Sequence, residues 1–232
     1  ADKELAKEIA SVHSDTLRQK DLSQASIKEI GYFLWGIARA DKELAKEIAS
    51  VHSDTLRQKD LSQASIKEIG YFLEVIAWAD KELAKEIASM HSDILRQRIS
   101  QASIKEIGYF LEGIAWADEE LAKEIASEHS DTLRQKDLSQ AGIEEIGYFL
   151  WGIARADKEL AKEIARVHEK ILKKKLSEEK NYNARGFFIW VINAYIDPVM
   201  VKRLEKQYRG ERMYSFKKVL ISIKNTLFHP PF

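Results

Sequence analysis

Cysteine is absent from the 232 residues. No disulfide framework and no thiolate-bound metal site can form without it, and its absence suits a reducing, intracellular compartment, which is the location we expect. Proline is scarce, with 3 residues, and glycine modest, with 10, so few positions break a helix. No apolar run approaches the ~20 residues that carry a helix across a bilayer, and no signal-peptide pattern opens the chain, so no membrane partner is expected. The chain starts at Ala1 in mid-pattern and reads as a piece of a longer protein, trimmed at a repeat boundary. Net charge is also absent overall, but not locally. Residues 1–155 carry 20 Lys+Arg against 28 Asp+Glu, and residues 156–232 carry 17 against 9. Such asymmetry either marks a charged partner at the C-terminal end or is simply a solvated face.

What is present in abundance is Ala, Glu, Lys, Leu and Ile, the composition of long helices. The run Ala1-Asp2-Lys3-Glu4-Leu5-Ala6-Lys7-Glu8-Ile9-Ala10 returns, nearly unchanged, at Ala40, Ala79, Ala117 and Ala156, with spacings of 39, 39, 38 and 39. A fixed period of this length marks stacked units, none of which can bury its apolar face alone.

In the first copy Leu5, Ile9, Val12 and Thr16 make one helical stripe, and Ala6, Ala10, His13 and Leu17 make a second about 100° round the helix. Both stripes pass through His13-Ser14-Asp15 without a change of phase, which predicts one helix over about 3–19. A second helix carries Ile27, Ile30, Leu34, Ile37 and Ala38 on one face and ends near Ala38. Its start is at one of two capping-box patterns, Asp21-Leu22-Ser23-Gln24 or Ser26-Ile27-Lys28-Glu29. The third copy is one residue shorter at Leu95-Arg96-Gln97-Arg98-Ile99-Ser100. A deletion inside a helix would rotate everything after it by about 100°, so the turn between the helices is expected near residues 19–22 of each copy.

Gly31, Gly70, Gly108, Gly147 and Gly186 recur within the second helices. An interior helical glycine costs roughly 1 kcal/mol against alanine, so the recurrence implies either close approach of a neighbouring helix or a kink. The fifth copy diverges from Ile171. Asp197-Pro198 then pairs an N-cap with a proline at the first helical position, Gly210 gives a stop signal, and a last helix carries Phe216, Val219, Leu220, Ile223 and Leu227. Residues 197–228 thus read as a C-terminal cap. The first copy has no matching cap, so Leu5, Ala6, Ile9 and Leu17 are expected to be exposed, and self-association through this N-terminal repeat is expected.

This repeat resembles the superhelical HEAT, armadillo and tetratricopeptide-like families over about residues 1–194. Its period is nearer to HEAT than to the 34-residue tetratricopeptide repeat, whose Trp-Leu-Gly-Tyr pattern it lacks. The resemblance implies an all-α, right-handed solenoid of five two-helix repeats, at 1–39, 40–78, 79–116, 117–155 and a divergent 156–194, with a helical cap over 195–232.

No residue set carries recognisable catalysis. His13, His52, His91, His129 and His168 form a ladder, one per copy. Packed helices lie roughly 8–10 Å apart, too far for neighbouring rungs to share a metal ion at about 2 Å from each ligand; a packing histidine is expected, with a pH-sensitive ladder as the alternative. His13-Ser14-Asp15 cannot act as a triad, because adjacent helical side chains point about 100° apart. No phosphate-binding loop, zinc-finger spacing or metalloprotease helix occurs. We therefore expect no enzyme, no cofactor and no metal.

Differences between near-identical copies are more informative. Lys28, Tyr32, Trp35 and Arg39 lie on one side of the second helix, away from the isoleucine stripe. The tyrosine returns as Tyr71, Tyr109 and Tyr148. The next two positions read Trp35/Arg39, Glu74/Trp78, Glu112/Trp116 and Trp151/Arg155. A place that accepts both Glu and Trp is not expected in deep core, and Trp, Tyr and Arg are enriched in interface hot spots. The row is either a contact surface for a protein or peptide partner or edge packing between copies. The expected function is a non-enzymatic protein- or peptide-binding scaffold, part of a larger sensor or scaffold protein. The alternative is nucleic-acid binding at the basic end through Lys173, Lys174, Lys175, Lys202, Arg203, Lys206, Arg209 and Arg212, with Lys217 and Lys218 and with Tyr208 and Tyr214 interleaved.

Overall fold

The computed structural model describes residues 3–205, all of whose regular elements are helical, with no strand among them. The first copy forms α1 (Lys3–Val12), α2 (Ser14–Arg18) and α3 (Ile27–Ala40), and the second α4 (Lys42–Val51), α5 (Ser53–Arg57) and α6 (Ile66–Ala79). The third forms α7 (Lys81–Met90), α8 (Ser92–Arg98) and α9 (Ile104–Ala117); the fourth α10 (Glu119–Glu128), α11 (Ser130–Gln135) and α12 (Ile143–Ala156). Then come α13 (Lys158–Val167), α14 (Glu169–Glu178), α15 (Tyr182–Val191) and α16 (Pro198–Glu205). The expected stop at Gly210 and the helix bearing Phe216 to Leu227 lie outside the described residues. Among those described, no helix is long and apolar enough to cross a membrane.

The first helix of each copy is bent, not continuous. At His13 the backbone takes φ −99° and ψ 10°, and His52, His91, His129 and His168 repeat this within a few degrees. The bonds from His13 N–H to the Ile9 carbonyl (3.1 Å) and from Leu17 N–H to the His13 carbonyl (2.9 Å) survive the bend. A change of ψ at one residue redirects the axis while leaving the side-chain phase nearly intact, which is why the stripes run through it. The stripes themselves are narrower than expected. Leu44, Ala45, Ile48, Ala49 and Leu56 are buried, but Val12, Val51, Met90 and Val167 are exposed, and Glu128 occupies the same place in the fourth copy.

Of the two capping patterns the structure selects the second. Ser26 Oγ accepts from Glu29 N–H (3.2 Å) while Glu29 Oε2 accepts from Ser26 N–H (2.8 Å), and Ser65–Glu68 and Ser103–Glu106 repeat the box. Asp21 instead closes a local turn by accepting from Ser23 N–H (2.8 Å). The connection thus extends over 19–26, and α3 runs two residues past Ala38. In the third copy a 3-10 turn, Ile99–Gln101, absorbs the missing residue. Ser65→Ala removes one reciprocal cap and is expected to lower the unfolding free energy by about 1 kcal/mol, read from the urea midpoint.

A single extended residue joins each copy to the next. Asp41, at φ −147° and ψ 108°, donates its N–H to the Ile37 carbonyl (2.7 Å) and accepts from Leu44 N–H (3.1 Å) with its side chain. It ends one helix and caps the other, as do Asp80, Asp118 and Asp157. Asp197 does the same ahead of Pro198, accepting from Val199 N–H (2.8 Å). Gly186 to Asp197 is one residue longer than Gly147 to Asp157. A π turn, Ile192–Ile196, takes up the extra residue.

The second helices α3, α6, α9, α12 and α15 pack side by side in chain order. Their largest fully buried side chains are Phe72, Phe110, Phe149 and Phe188, at one position in the second to fifth copies, while Phe33 in the first is only partly buried. The glycines are there for close approach, without a kink. A Cβ at Gly70 would stand 2.6 Å from the Tyr109 carbonyl oxygen, and one at Gly108 would overlap the Tyr148 carbonyl. A second glycine five residues on completes the fit. Gly113 faces the Gly70 carbonyl and Gly152 faces the Gly108 carbonyl, so α6, α9 and α12 meet backbone to backbone. In the second copy this place is Val75, and there a Cβ on Gly31 would meet only the Tyr71 ring, at 3.0 Å.

Polar ladders tie the first helices together. Arg18 holds Glu47 (2.9 Å), Arg57 holds Glu86 (2.8 Å), Arg96 holds Glu124 (2.9 Å) and Arg134 holds Glu163 (3.0 Å), each reaching into the following copy. His52 Nε2–H donates back to the Arg18 carbonyl (3.0 Å), and His91 and His168 to those of Arg57 and Arg134 (3.4 and 3.0 Å). Lys59 Nζ reaches the Ser23 and Ala25 carbonyls (2.7 Å each), Lys136 reaches that of Ala102 (2.8 Å), and Arg98 supplies the equivalent contact to the Ser62 carbonyl.

Candidate functional site

The row on the second helices forms from their 3.6-residue period and the close packing of α6, α9 and α12. Tyr32 and Tyr71 lie 5.5 Å apart between ring centres, Tyr109 and Tyr148 stack at 4.5 Å, and Tyr148 meets Phe187 at 4.6 Å. Lys67 sits over the Tyr109 ring (5.3 Å) and Lys105 over Tyr148 (5.9 Å). Burial raises the hydroxyls of Tyr71, Tyr109 and Tyr148 above the usual tyrosine range.

The tryptophans fall into three surroundings. Trp35 lies under Arg39 of its own helix, at 4.9 Å. Trp78 and Trp116 meet edge to face at 6.5 Å, and Arg155 from α12 covers Trp116 at 4.9 Å. Trp151 is walled in by Phe187, Trp190 and Tyr195, at 6.2, 6.1 and 6.4 Å. Trp35, Trp78 and Trp151 are partly buried, and Trp116 is 38 % exposed. The geometry therefore brings Glu74, Trp78, Glu112, Trp116 and Arg155 together. Trp35 and Arg39 form their own pair, and Trp151 belongs to the aromatic packing of α12 against α15.

The expectation that the Glu/Trp position cannot be deep fails at Glu112, which is only 5 % exposed. Two features make its burial tolerable. The Trp116 indole, one turn on along α9, and the positive charge of Arg155 both favour its ionised form. Burial nonetheless pushes the Glu112 carboxyl well above the usual range, and the Glu74 carboxylate on α6 adds to the rise. Burial also pushes Glu74 up to about 7, with Arg155 opposing it. Both acids feel the charge of the one Arg155 guanidinium, which favours their ionised forms but does not offset burial. The copies that carry Glu place Trp one turn on, and the copies that carry Trp place Arg there. That complementary exchange is the signal in the sequence for a Glu–Trp–Arg cluster.

The basic set near the C-terminal end is partly neutralised. Lys173 and Arg203 both reach Glu169 (2.8 and 3.4 Å), Arg203 also approaches Asp197 (3.9 Å), and Lys174 pairs with Glu178 (3.9 Å). Lys175 lies close enough to Asp137 to help hold that carboxyl below its usual value, after the hydrogen bonds from Ser139. Lys202 is exposed. Lys206, Arg209 and Arg212, with Lys217, Lys218, Tyr208 and Tyr214, lie outside the described residues. No family model, no curated protein and no solved structure matches the chain.

Proposed function

We propose that the chain is a right-handed α-solenoid of five two-helix repeats with a C-terminal helical cap, serving as a non-enzymatic protein- or peptide-binding scaffold within a larger sensor or scaffold protein. Support for the solenoid comes from contacts that recur from copy to copy in one direction: arginine to glutamate, histidine to carbonyl, glycine to glycine. The binding surface is the row on α3, α6, α9 and α12. The observation that carries it is the contact of Trp78 with Trp116, edge to face under Arg155, with Glu74 and Glu112 one turn back on the same two helices and Trp116 accessible. Such a cluster favours an incoming Arg or Lys side chain, which gains a cation–π contact with the exposed edge of Trp116 and approaches the partly exposed Glu74.

Selection from a random peptide library on the immobilised chain tests this. The expected outcome is enrichment of Arg- or Lys-bearing peptides, whose binding falls about tenfold in Trp116→Ala, the loss of a hot-spot contact. Circular dichroism should show that variant folded, because Trp116 is the most exposed tryptophan of the row. Enrichment of no peptide, or of peptides indifferent to Trp116, would count against the proposal. Trp151→Ala is unsuitable here, since it opens the packing against α15. Nucleic-acid binding at the basic end remains the alternative, and it predicts affinity that falls steeply with salt.

A further inference from the structure

The first copy presents one face that every later copy buries, and it does so with all the contact chemistry in place. Leu5 and Ile9 are 54 and 53 % exposed, while their counterparts Leu44 and Ile48 are 5 and 0 % exposed. Glu8 occupies the position at which Glu47, Glu86 and Glu163 receive an arginine from the copy before. His13 stands where His52, His91 and His168 donate to that arginine's carbonyl, and Lys20 where Lys59 and Lys136 reach loop carbonyls of the copy before. Among the described residues Glu8, His13 and Lys20 have no such partner. Gly36 adds an observation of a different kind. Its counterparts Gly113 and Gly152 each receive the backbone of a neighbouring glycine, whereas a Cβ on Gly36 would meet nothing within 4 Å.

We infer that this face is a docking site for a further helical pair of the same repeat sequence. The occupant is specified by the chemistry it must bring: an arginine with a free carbonyl at the end of its bent first helix, for Glu8 and His13; loop carbonyls for Lys20; and a second helix with a glycine at the position of Gly70, for Gly36. An arbitrary amphipathic helix would cover Leu5 and Ile9 but leave the other contacts unmade. A second copy of the chain does not present this surface from its first four repeats, because all four arginines, and the carbonyls of Arg18, Arg57 and Arg134, are already engaged. The inference rests on the recurring joints between copies, and it is independent of what the Trp116 row binds.

The test duplicates residues 40–78 in phase ahead of Ala1 in the full chain. If the face accepts this repeat, the midpoint of thermal unfolding rises by roughly 5 °C. Amides of α1 should exchange with solvent about tenfold more slowly. Ile9→Lys in the extended chain should remove most of both gains, and Glu8→Arg should remove part of them, restored when Arg57 of the added repeat is changed to Glu. An added repeat that is cut by protease as readily as an unfolded peptide, with α1 exchange unchanged, overturns the proposal. So does a concentration-dependent dimer of the unextended chain that Ile9→Lys abolishes, which would make a second copy the occupant. Cross-links from α1 to residues 206–232 of the same molecule would overturn it as well. Peptide selection at Trp116 should be the same with and without the added repeat, so failure of one proposal leaves the other standing.

Discussion

Gly113→Ala is expected to destabilise the protein on the order of 3 kcal/mol, although alanine is the better helix former by roughly 1 kcal/mol. The methyl would overlap the Gly70 carbonyl of α6. A clash with a flexible side chain can be relieved by a rotamer change, but a carbonyl inside a helix moves only with its helix. Overpacking of this kind costs about 1–3 kcal/mol and more where nothing can yield. Because α9 is held by glycines on both sides, with Gly108 against Tyr148 and Gly152 of α12, a shift away from α6 compresses the next joint. Gly36→Ala is the internal control. It places the same methyl at the same position of a second helix, meets nothing within 4 Å, and should raise stability by about 0.5–1 kcal/mol. Urea unfolding of both variants measures the pair. Equal effects of the same sign would mean that α6 and α9 do not meet backbone to backbone.

That contrast also shows what was legible in the chain and what was not. The period, the two helical faces and the Ser26–Glu29 cap follow from spacing and from local hydrogen-bond chemistry, both of which act within a few residues. The first glycine, at Gly31 and its counterparts, could be assigned to close approach or to a kink, and packing decided for approach. The second, at Gly36, Gly113 and Gly152, was hidden because Val75 interrupts it. Its meaning depends on which helix lies opposite, a fact that no single helix contains. The bend at each histidine was invisible for a different reason. Periodicity reports where side chains point, and a single change of ψ leaves that almost untouched. At Glu112 the inference from variability failed because Trp and Glu exchange jointly with their neighbours one turn away. A position can tolerate a carboxylate in the core when the indole of Trp116 and the guanidinium of Arg155 arrive with it.

The Glu74–Glu112 pair gives the second large effect, and its sign is opposite to that of the other carboxylates that depart from their usual values. Asp21, Glu29, Asp60, Glu68, Asp137 and Glu169 are held below their usual range, by hydrogen bonds from serine groups or, for Glu169, foremost by Lys173. They bind protons less readily folded than unfolded, so their contribution is present above the unfolded value and is lost as pH falls through the folded one. Glu74 and Glu112 are raised. They bind protons more readily folded than unfolded, and stability drains away as pH rises from the usual 4.5 through about 7 and beyond. The protein should therefore be most stable near pH 5 and weaker at pH 8. Glu112→Gln keeps the shape and a polar side chain one turn from Trp116 while removing the charge. At pH 8 it should stabilise the fold by about 2 kcal/mol, the order expected when a buried charge gives way to a neutral group of the same volume. At pH 5 the raised pair carries less charge, so the gain should be much smaller. Glu74, left alone with Arg155, should titrate lower than in the parent protein, which carboxyl carbon chemical shifts followed by NMR would report. Arg155→Gln should do the reverse, weakening the fold most at pH 8 and raising both titrations. A gain from Glu112→Gln that is the same at pH 5 and pH 8 would show that Glu112 does not change its charge between these two values in the folded protein.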